Sequence, residues 1–345
     1  MKKRLLATTA LTAMFAVALF AQKPHTVVFY NVENFFDTIN DPDINDEEFT
    51  PEGKNNWTGD KYYQKLANIE KVLFDISGAN KNFPTVIGVS EVEVRSVLED
   101  IASTPKLSPA SYRIVHYDSP ERRGVDVAFF YRPDQFKLEG SFAERAIIPD
   151  RPDFRTRDIL TMWGTIEEQE FFFMVAHWSS RWGGKEQSEF LRVANATQMR
   201  QIVDSVRTIR PNTKFVLMGD FNDDPNDKSV AECLGAKGNI KRLEKGDLYT
   251  PFYSMLMAGY GSLAYGDAWN IFDNIVVSEN LVNAPKGELE LQKSIYNSKY
   301  YGNIFKPSYL IQQEGRFKGY PFRAFSGGAW VGGYSDHLPV FINLD

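Results

Sequence analysis

Five times along this chain a short apolar run ends in side chains that bind cations or move protons. Tyr30 leads into Asn31 and Glu33, Ser90 into Glu91, Ala176 into His177, Gly219 into Asp220 and Asn222, and Ser335 into Asp336 and His337. Asp273 stands at the head of a further run, Asp-Asn-Ile-Val-Val. Carboxylate and amide oxygens suit hard divalent cations, and imidazole exchanges protons near neutral pH. Strands that end in such groups fix their positions while the following loops leave room for a substrate. Convergence of the five ends makes one site. Taken singly, each group also has a plainer structural use. Glu91 fits a first-turn carboxylate at the positive end of a helix dipole, His177 a satisfied core histidine, and Asp220 the turn in Gly-Asp-Phe-Asn-Asp-Asp-Pro. Asp336 fits a turn cap, and Asp273 a partner for any nearby donor.

The elements that must carry these groups are visible as periodic apolar patterns. Segments 26–30, 85–89, 125–131, 171–176, 214–218, 272–277 and 338–342 are short and rich in Val, Ile, Phe and Tyr, which predicts strands. Helical spacing appears at Leu66, Ile69, Val72, Leu73 and Ile76, at Val94, Val97, Leu98 and Ile101, and from about Glu186 to Arg207, ahead of Pro211. Segment 37–59 is acidic and lacks an apolar period, which predicts a surface loop; a calcium site there is the less favoured reading, because Asp-Pro-Asp-Ile-Asn-Asp has no EF-hand glycine. Residues 302–333, rich in aromatics and glycine, read as long connections at the rim of a sheet.

With 345 residues, 43% of them hydrophobic and 24% charged, the chain can bury a large core, and disorder is excluded as its main state. A single cysteine, Cys233, excludes both an internal disulfide and a thiolate zinc centre. Lys2, Lys3 and Arg4 precede an apolar run from Leu5 to Phe20, and Ala21 offers a small residue for cleavage. Residues 1–21 thus read as a signal peptide, residues 22–345 as one domain, and the mature chain as periplasmic or secreted with no transmembrane anchor. Cleavage moves the net charge from −6 to −9, which excludes a strongly basic nucleic-acid-binding body.

Seven ordered motifs carry a family resemblance. Tyr-Asn-Val-Glu-Asn-Phe-Phe-Asp, Gly-Val-Ser-Glu-Val, Arg-Gly-Val-Asp-Val-Ala, Ala-His-Trp-Ser-Ser-Arg, Gly-Asp-Phe-Asn-Asp, Phe-Asp-Asn-Ile-Val-Val and Ser-Asp-His-Leu-Pro-Val resemble those of the endonuclease/exonuclease/phosphatase superfamily, with its deoxyribonuclease I-like fold, as in a secreted bacterial-type member. The resemblance implies an α/β four-layer sandwich, two mostly antiparallel sheets packed face to face with helices outside. It implies a divalent cation on Glu91, with Asn31, Glu33 and Asp336 as further contacts; magnesium is favoured, with manganese or calcium as alternatives. By the same resemblance Asp220 activates water, Asn222 orients the water or the phosphate, His177 and His337 flank the phosphate, and Asp273 partners His337.

These roles match what phosphoester hydrolysis needs: charge neutralisation, an oriented nucleophile and a protonated leaving oxygen. Arg123 and Arg181 are candidates for phosphate contacts, with Arg192 a weaker one. Trp178 and Trp182 are candidates for stacking a base or sugar at the mouth of the site. The Asn-Ala-Gly stretch of abasic-site nucleases and the Pro-Ala-Trp-Cys-Asp-Arg motif of inositol 5-phosphatases are missing from this sequence. The favoured expectation is a broad-specificity nuclease acting on nucleic acid, with Arg122, Arg123, Arg151, Arg155 and Arg157 offsetting the acidic balance and no stable protein partner. The alternatives are a phosphatase or phosphodiesterase for the small phosphoester of a sugar, inositol or lipid head group, and a non-catalytic extracellular binding protein on the same fold.

Overall fold

The computed structural model describes residues 24–345; the signal-peptide expectation lies outside the described residues. The strands in chain order are β1 His25–Phe35, β2 Val86–Val92, β3 Arg113–His116, β4 Asp126–Tyr131, β5 Lys137–Glu144, β6 Ile159–Ile166, β7 Gln169–His177, β8 Lys214–Asp220, β9 Ala236–Lys237, β10 Leu248–Tyr249, β11 Leu263–Tyr265, β12 Ala268–Asn270, β13 Asp273–Ser278, β14 Asn303–Ile304, β15 Phe325–Ser326, β16 Ala329–Trp330 and β17 Val340–Leu344. Three long helices accompany them: α1 Gly59–Asn80, α2 Arg95–Ser103 and α3 Lys185–Ile209.

The strands form two large sheets. One runs β14-β17-β1-β2-β4-β3, parallel only at β1–β2; the other runs β5-β6-β7-β8-β13-β10-β9, parallel only at β7–β8 and β9–β10. β7 explains the layering. Its odd residues Phe171, Phe173 and Val175 join the core between the sheets, whereas Phe172, Met174 and Ala176 join a second core with Ala196, Met199 and Val203 of α3. A strand covered on both faces reads as a continuous apolar run, which is how it stands in the sequence. Helices α1 and α2 bury Ile69, Val72, Leu73, Val97, Leu98 and Ile101 in the first core, on the far side of the other sheet. The order of layers is therefore helices, sheet, sheet, helix, as the resemblance implied.

Among the described residues no helix is long and apolar enough to cross a membrane. Segment 37–59 forms turns and one short 3-10 helix, and none of its carboxylates belongs to a cluster of three ligating groups among the described residues. Segment 302–333 is more ordered than a plain connection: it contributes β14 to the first sheet and folds β15–β16 into a hairpin.

Candidate active site

Register places three of the polar strand ends in one rank. His177 of β7 is the partner of Asp220 on β8, and Asp220 is the partner of Asp273 on β13. All three share the parity of the residues that fill the core between the sheets (Val175, Met218, Ile275), so their side chains continue that face past the end of the core. The rank needs a close approach of β7 and β8. A Cβ on Gly219 would stand 2.0 Å from the Ala176 carbonyl oxygen, so only glycine fits before Asp220.

Opposite the rank, β1 and β2 end in irregular backbone. Ser90 pairs with Val127 and Val92 with Asp126, leaving Glu91 as the extra residue of a bulge, with φ 63°. A bulge re-aims a side chain, and here it turns Glu91 toward the rank. Glu33, Asn34 and Asn222 also hold positive φ values of 54°, 49° and 50°. Left-handed backbone at a non-glycine residue costs about 1–3 kcal/mol and persists where the surroundings over-determine it. Four such residues at the exits of three neighbouring strands mark where the fold carries strain.

Asp220 is the hub. Its Oδ2 accepts a hydrogen bond from Asn31 Nδ2 at 3.1 Å and lies 3.5 Å from His177 Nε2 and 3.7 Å from His337 Nε2. Asn31 Nδ2 also donates to Glu91 Oε1 at 3.1 Å, and the Asn34 amide donates to Glu91 Oε2 at 2.8 Å. His337 Nδ1 meets Asp273 Oδ2 at 2.7 Å, and its Nε2 stands 3.9 Å from Asp336 Oδ1. The Ser335 hydroxyl donates to the Asn31 carbonyl and accepts the His337 amide, which ties the Ser-Asp-His turn to β1.

The electrostatics divide the two histidines. Burial and the neighbouring Arg157 and Arg123 guanidiniums push His177 well below its usual value, so it is neutral. Burial opposes protonation of His337 as well, but the carboxylates of Asp273, Asp220 and Asp336 together outweigh it and hold the imidazolium well above the usual range. Burial, with Asp273 and Glu91 adding like charge, raises Asp220 to about 7 against the opposing pull of His337.

The donor set fits a hard divalent cation. Asp220, Asp273 and His337 bring ligating atoms within 4.8 Å of one another, but the 2.7 Å ion pair within the group already sets a cation against the carboxylates. Glu91 lies outside that group, with Lys65 as its more distant counter-charge. Asp336 is an oxygen donor at the same end of the sheets; Asn31 turns its Nδ2 to Glu91 and its Oδ1 to the Glu33 amide, so it would ligate a cation there only with its amide turned over. Glu33 stands differently from its expected place. Its two carboxylate oxygens accept the backbone amides of Ala324 and Phe325 at 2.6 and 3.1 Å, so it fastens the β15 hairpin to β1 and has no oxygen turned to Glu91.

The candidate substrate contacts separate. Trp178 is fully buried, stacked on Phe221 at 4.2 Å with its Nε1 toward Met199 Sδ, and so packs against α3 and takes no part in the mouth. Trp182 is 88% exposed. Arg181 spends its guanidinium on the Asn222 carbonyl, Asp223 and Asp227, which shapes the loop after Asp220 and leaves no fork for phosphate. Arg192 is likewise buried, 2.7 Å from Asp223 Oδ2. Arg157, grouped with the surface arginines by sequence, is buried and donates to the His177 and Trp178 carbonyls. Arg123 remains half-exposed beside Glu121 and close enough to act on His177. Asn222 Nδ2 donates to the Trp178 carbonyl, and its own amide donates to Asp220 Oδ1, so Asn222 holds Asp220 in place.

Sequence reasoning passed over Lys65. Its ammonium is fully buried, donates to the Tyr334 carbonyl at 3.2 Å, and faces Glu33, Asp336 and Glu91 as their counter-charge. Lys65 stands just before the apolar pattern of α1 and differs in no local way from Lys61 and Lys71 of the same helix.

The comparisons with known proteins agree with this geometry. No curated protein matches the chain. Truncated TDP2 of Caenorhabditis elegans is similar in structure at 15% identity, TM-score 0.53, covering 93% of this chain and 97% of that one. A Bacteroides thetaiotaomicron mannosyl-6-phosphatase is similar at 16% identity, TM-score 0.54, covering 93% and 99%. The catalytic domain of human nocturnin is similar at 16% identity, TM-score 0.52, covering 94% and 95%. The model of the Endonuclease/Exonuclease/phosphatase family matches residues 26–345. With its two packed sheets and the hub at Asp220, the chain belongs to that family of phosphoester-hydrolysing enzymes.

Proposed function

We propose that this protein is a divalent-metal-dependent hydrolase of phosphoesters whose substrate carries a small head group. The observation that carries the hydrolytic reading is the hub at Asp220 Oδ2, set between Asn31, a neutral His177 and a protonated His337. Ionised Asp220 takes the proton of the attacking water. Asn31 holds Asp220 and Glu91 in register by donating to both. The His337 imidazolium, kept charged by Asp273, neutralises phosphate oxygens and supplies a proton toward the leaving oxygen, while neutral His177 offers a hydrogen bond from the opposite side. Magnesium, held by Glu91 with Asn31 and Asp336 beside it, would supply charge neutralisation on the phosphate when bound.

A small head group is supported by the charge balance of the chain. Residues 22–345 carry a net charge of −9, and a polynucleotide needs successive cations along its track. The nuclease reading keeps one observation in its favour: Arg122, Arg151 and Arg155, together with Asp150 and Asp153, line a cavity of about 520 Å³. Salt separates the two readings, since polynucleotide binding weakens steeply with ionic strength and that of a small monoester does not.

The deciding experiment is hydrolysis of p-nitrophenyl phosphate and bis(p-nitrophenyl) phosphate by residues 22–345, with magnesium, manganese, calcium or chelator. Metal-dependent turnover that His337→Ala abolishes is the expected result; turnover indifferent to chelator and to that variant would sink the assignment. We further propose that residues 1–21 are removed on export to the periplasm or medium, on the strength of the basic start and apolar run. Mature protein beginning at Gln22 outside the cytoplasm is the expected finding, and an intact Met1 on cytoplasmic protein the contrary one.

A further inference from the structure

Beside Asp336 lies a cleft of about 860 Å³, walled on one side by the β11–β12 hairpin and on the other by residues 312–323, with Asp336 itself at its inner end. That volume falls within the roughly 300–1,000 Å³ of small-molecule sites. The walls are tied together. The Tyr320 hydroxyl donates to Asp267 Oδ1 at 2.5 Å and accepts the Asp267 amide at 2.7 Å, joining the hairpin tip to the opposite wall. At the inner end the Leu338 amide donates to the Ser262 carbonyl at 2.7 Å and Leu263 bridges to His337, so the hairpin is fixed to the catalytic turn. The cleft is preformed and opens onto the reacting centre.

Its lining has a distinct chemistry. Tyr265, 81% exposed, and Phe317, 45% exposed, present aromatic faces that no other part of the protein covers fully. Gln312, Glu314 and Arg316 place an amide, a carboxylate and a guanidinium around them. Charge in the cleft does not favour a second anion: three carboxylates, of Asp267, Glu314 and Asp336, stand against two guanidiniums, and that of Arg323 is held by Asp336 at 2.6 Å. The group beyond the scissile phosphate is therefore neutral. Aromatic faces ringed by amide, carboxylate and guanidinium groups suit a pyranose, whose C–H faces lie on rings while its hydroxyls both donate and accept.

We propose that this cleft seats the sugar ring of a phosphorylated saccharide while its phosphate lies at Asp336 and His337. The inference rests on the phosphoester-hydrolase reading and names its substrate class. The test compares glucose, mannose and galactose 6-phosphates with ethyl phosphate and a nucleoside 5′-monophosphate, in wild type and in the Tyr265→Ala/Phe317→Ala double variant. At least one hexose 6-phosphate should exceed ethyl phosphate by about tenfold in kcat/KM, the scale of one aromatic contact. The double variant should lose that advantage through KM and leave ethyl phosphate hydrolysis unchanged, with Tyr265→Phe retaining it. Equal use of ethyl and hexose phosphates, preference for the nucleotide, or a double variant that behaves as wild type would each overturn the proposal. Calorimetric titration of the magnesium-loaded protein with the same hexose phosphates tests the cleft without turnover. Binding weakened by the double variant supports the cleft even if ethyl phosphate is never hydrolysed, a failure that would count against the hydrolase reading alone; no binding of any hexose phosphate overturns the cleft assignment itself.

Discussion

His177 and His337 stand 3.5 and 3.7 Å from the same oxygen of Asp220, yet the two walls that hold them drive their charge in opposite directions. On the His177 side the neighbours are Arg157, whose guanidinium grips the His177 carbonyl at 3.1 Å, and Arg123. On the His337 side they are Asp273 at 2.7 Å and Asp336 at 3.9 Å. Burial works against the imidazolium at both places, so the difference is made by the sign of the charges behind each ring. One hub thereby faces a neutral hydrogen-bonding group on one side and a cation on the other, which is the asymmetry that water attack and leaving-group departure require.

The most damaging way to break the asymmetry is to remove its charged half. His337→Ala should lower kcat by about 10²–10⁴-fold, the range for a positioned proton donor. The fold should stand, because His337 sits at the end of the core and not within it. A kcat within threefold of wild type in a folded variant would show that the charge on this side is not used in the chemistry.

Asp273→Asn leaves the ring in place and removes the anion that keeps it charged. The desolvation penalty on His337 then meets less opposition, so its pKa falls. Because His337 is active as the acid, the alkaline limb of the pH–rate profile should move down with it. Asp220, at about 7 partly because of Asp273, loses a like charge and also titrates lower, so the acid limb moves the same way. The whole profile should shift toward acid, with activity at neutral pH reduced by about tenfold or more. An alkaline limb that stays put, or moves up, contradicts the assignment of that limb to His337.

His177→Gln tests the neutral side. An amide keeps one donor and no charge, so the expected loss in kcat/KM is about tenfold to a hundredfold, one hydrogen bond to a charged group. Neither limb of the pH profile should move, since His177 does not titrate in the working range. Disappearance of a limb would mean that the arginine wall had been misjudged and that His177 carries a proton.

Much of this asymmetry was not visible along the chain. The strands carrying His177, Asp220 and Asp273 stood out because each is buried on both faces and reads as an unbroken apolar run. The edge strand β5 and its neighbour β6 did not, since Gly140 and Gly164, with interspersed polar residues, dilute their periodicity. Motif residues after strand ends were likewise legible, and the fold does bring Asn31, Glu91, His177, Asp220, Asp273, Asp336 and His337 together. What a residue faces could not be read. Trp178, Arg181 and Arg192 have the types that bind nucleotides or phosphate, and each is instead committed to the outer core or to the Asp223–Asp227 loop by neighbours distant in sequence. The resemblance implies Glu33 as a metal contact, but left-handed backbone turns it to Ala324 and Phe325, nearly three hundred residues on. Charge state is the least local property of all: Asp336 beside His337 is the one hint in Asp-His-Leu, while Asp273 behind His337 and the arginines behind His177 come from elsewhere in the chain.

The mildest perturbation sharpens the comparison most. Arg123→Ala takes one cation from behind His177, and the two arginines are not equal there. Arg157 is buried and holds the His177 backbone, whereas the Arg123 side chain is 47% exposed and pairs with Glu121, so solvent and that carboxylate screen much of its field. His177 should therefore titrate only slightly higher in the variant and remain neutral at pH 7. Following the His177 ring protons by NMR across the pH range gives this shift directly, and KM for p-nitrophenyl phosphate gives the second readout. A rise in KM with the His177 titration barely moved means that Arg123 reaches the phosphate; an upward shift that leaves His177 charged at pH 7 means that the exposed arginine, and not the buried one, keeps this side of the hub neutral.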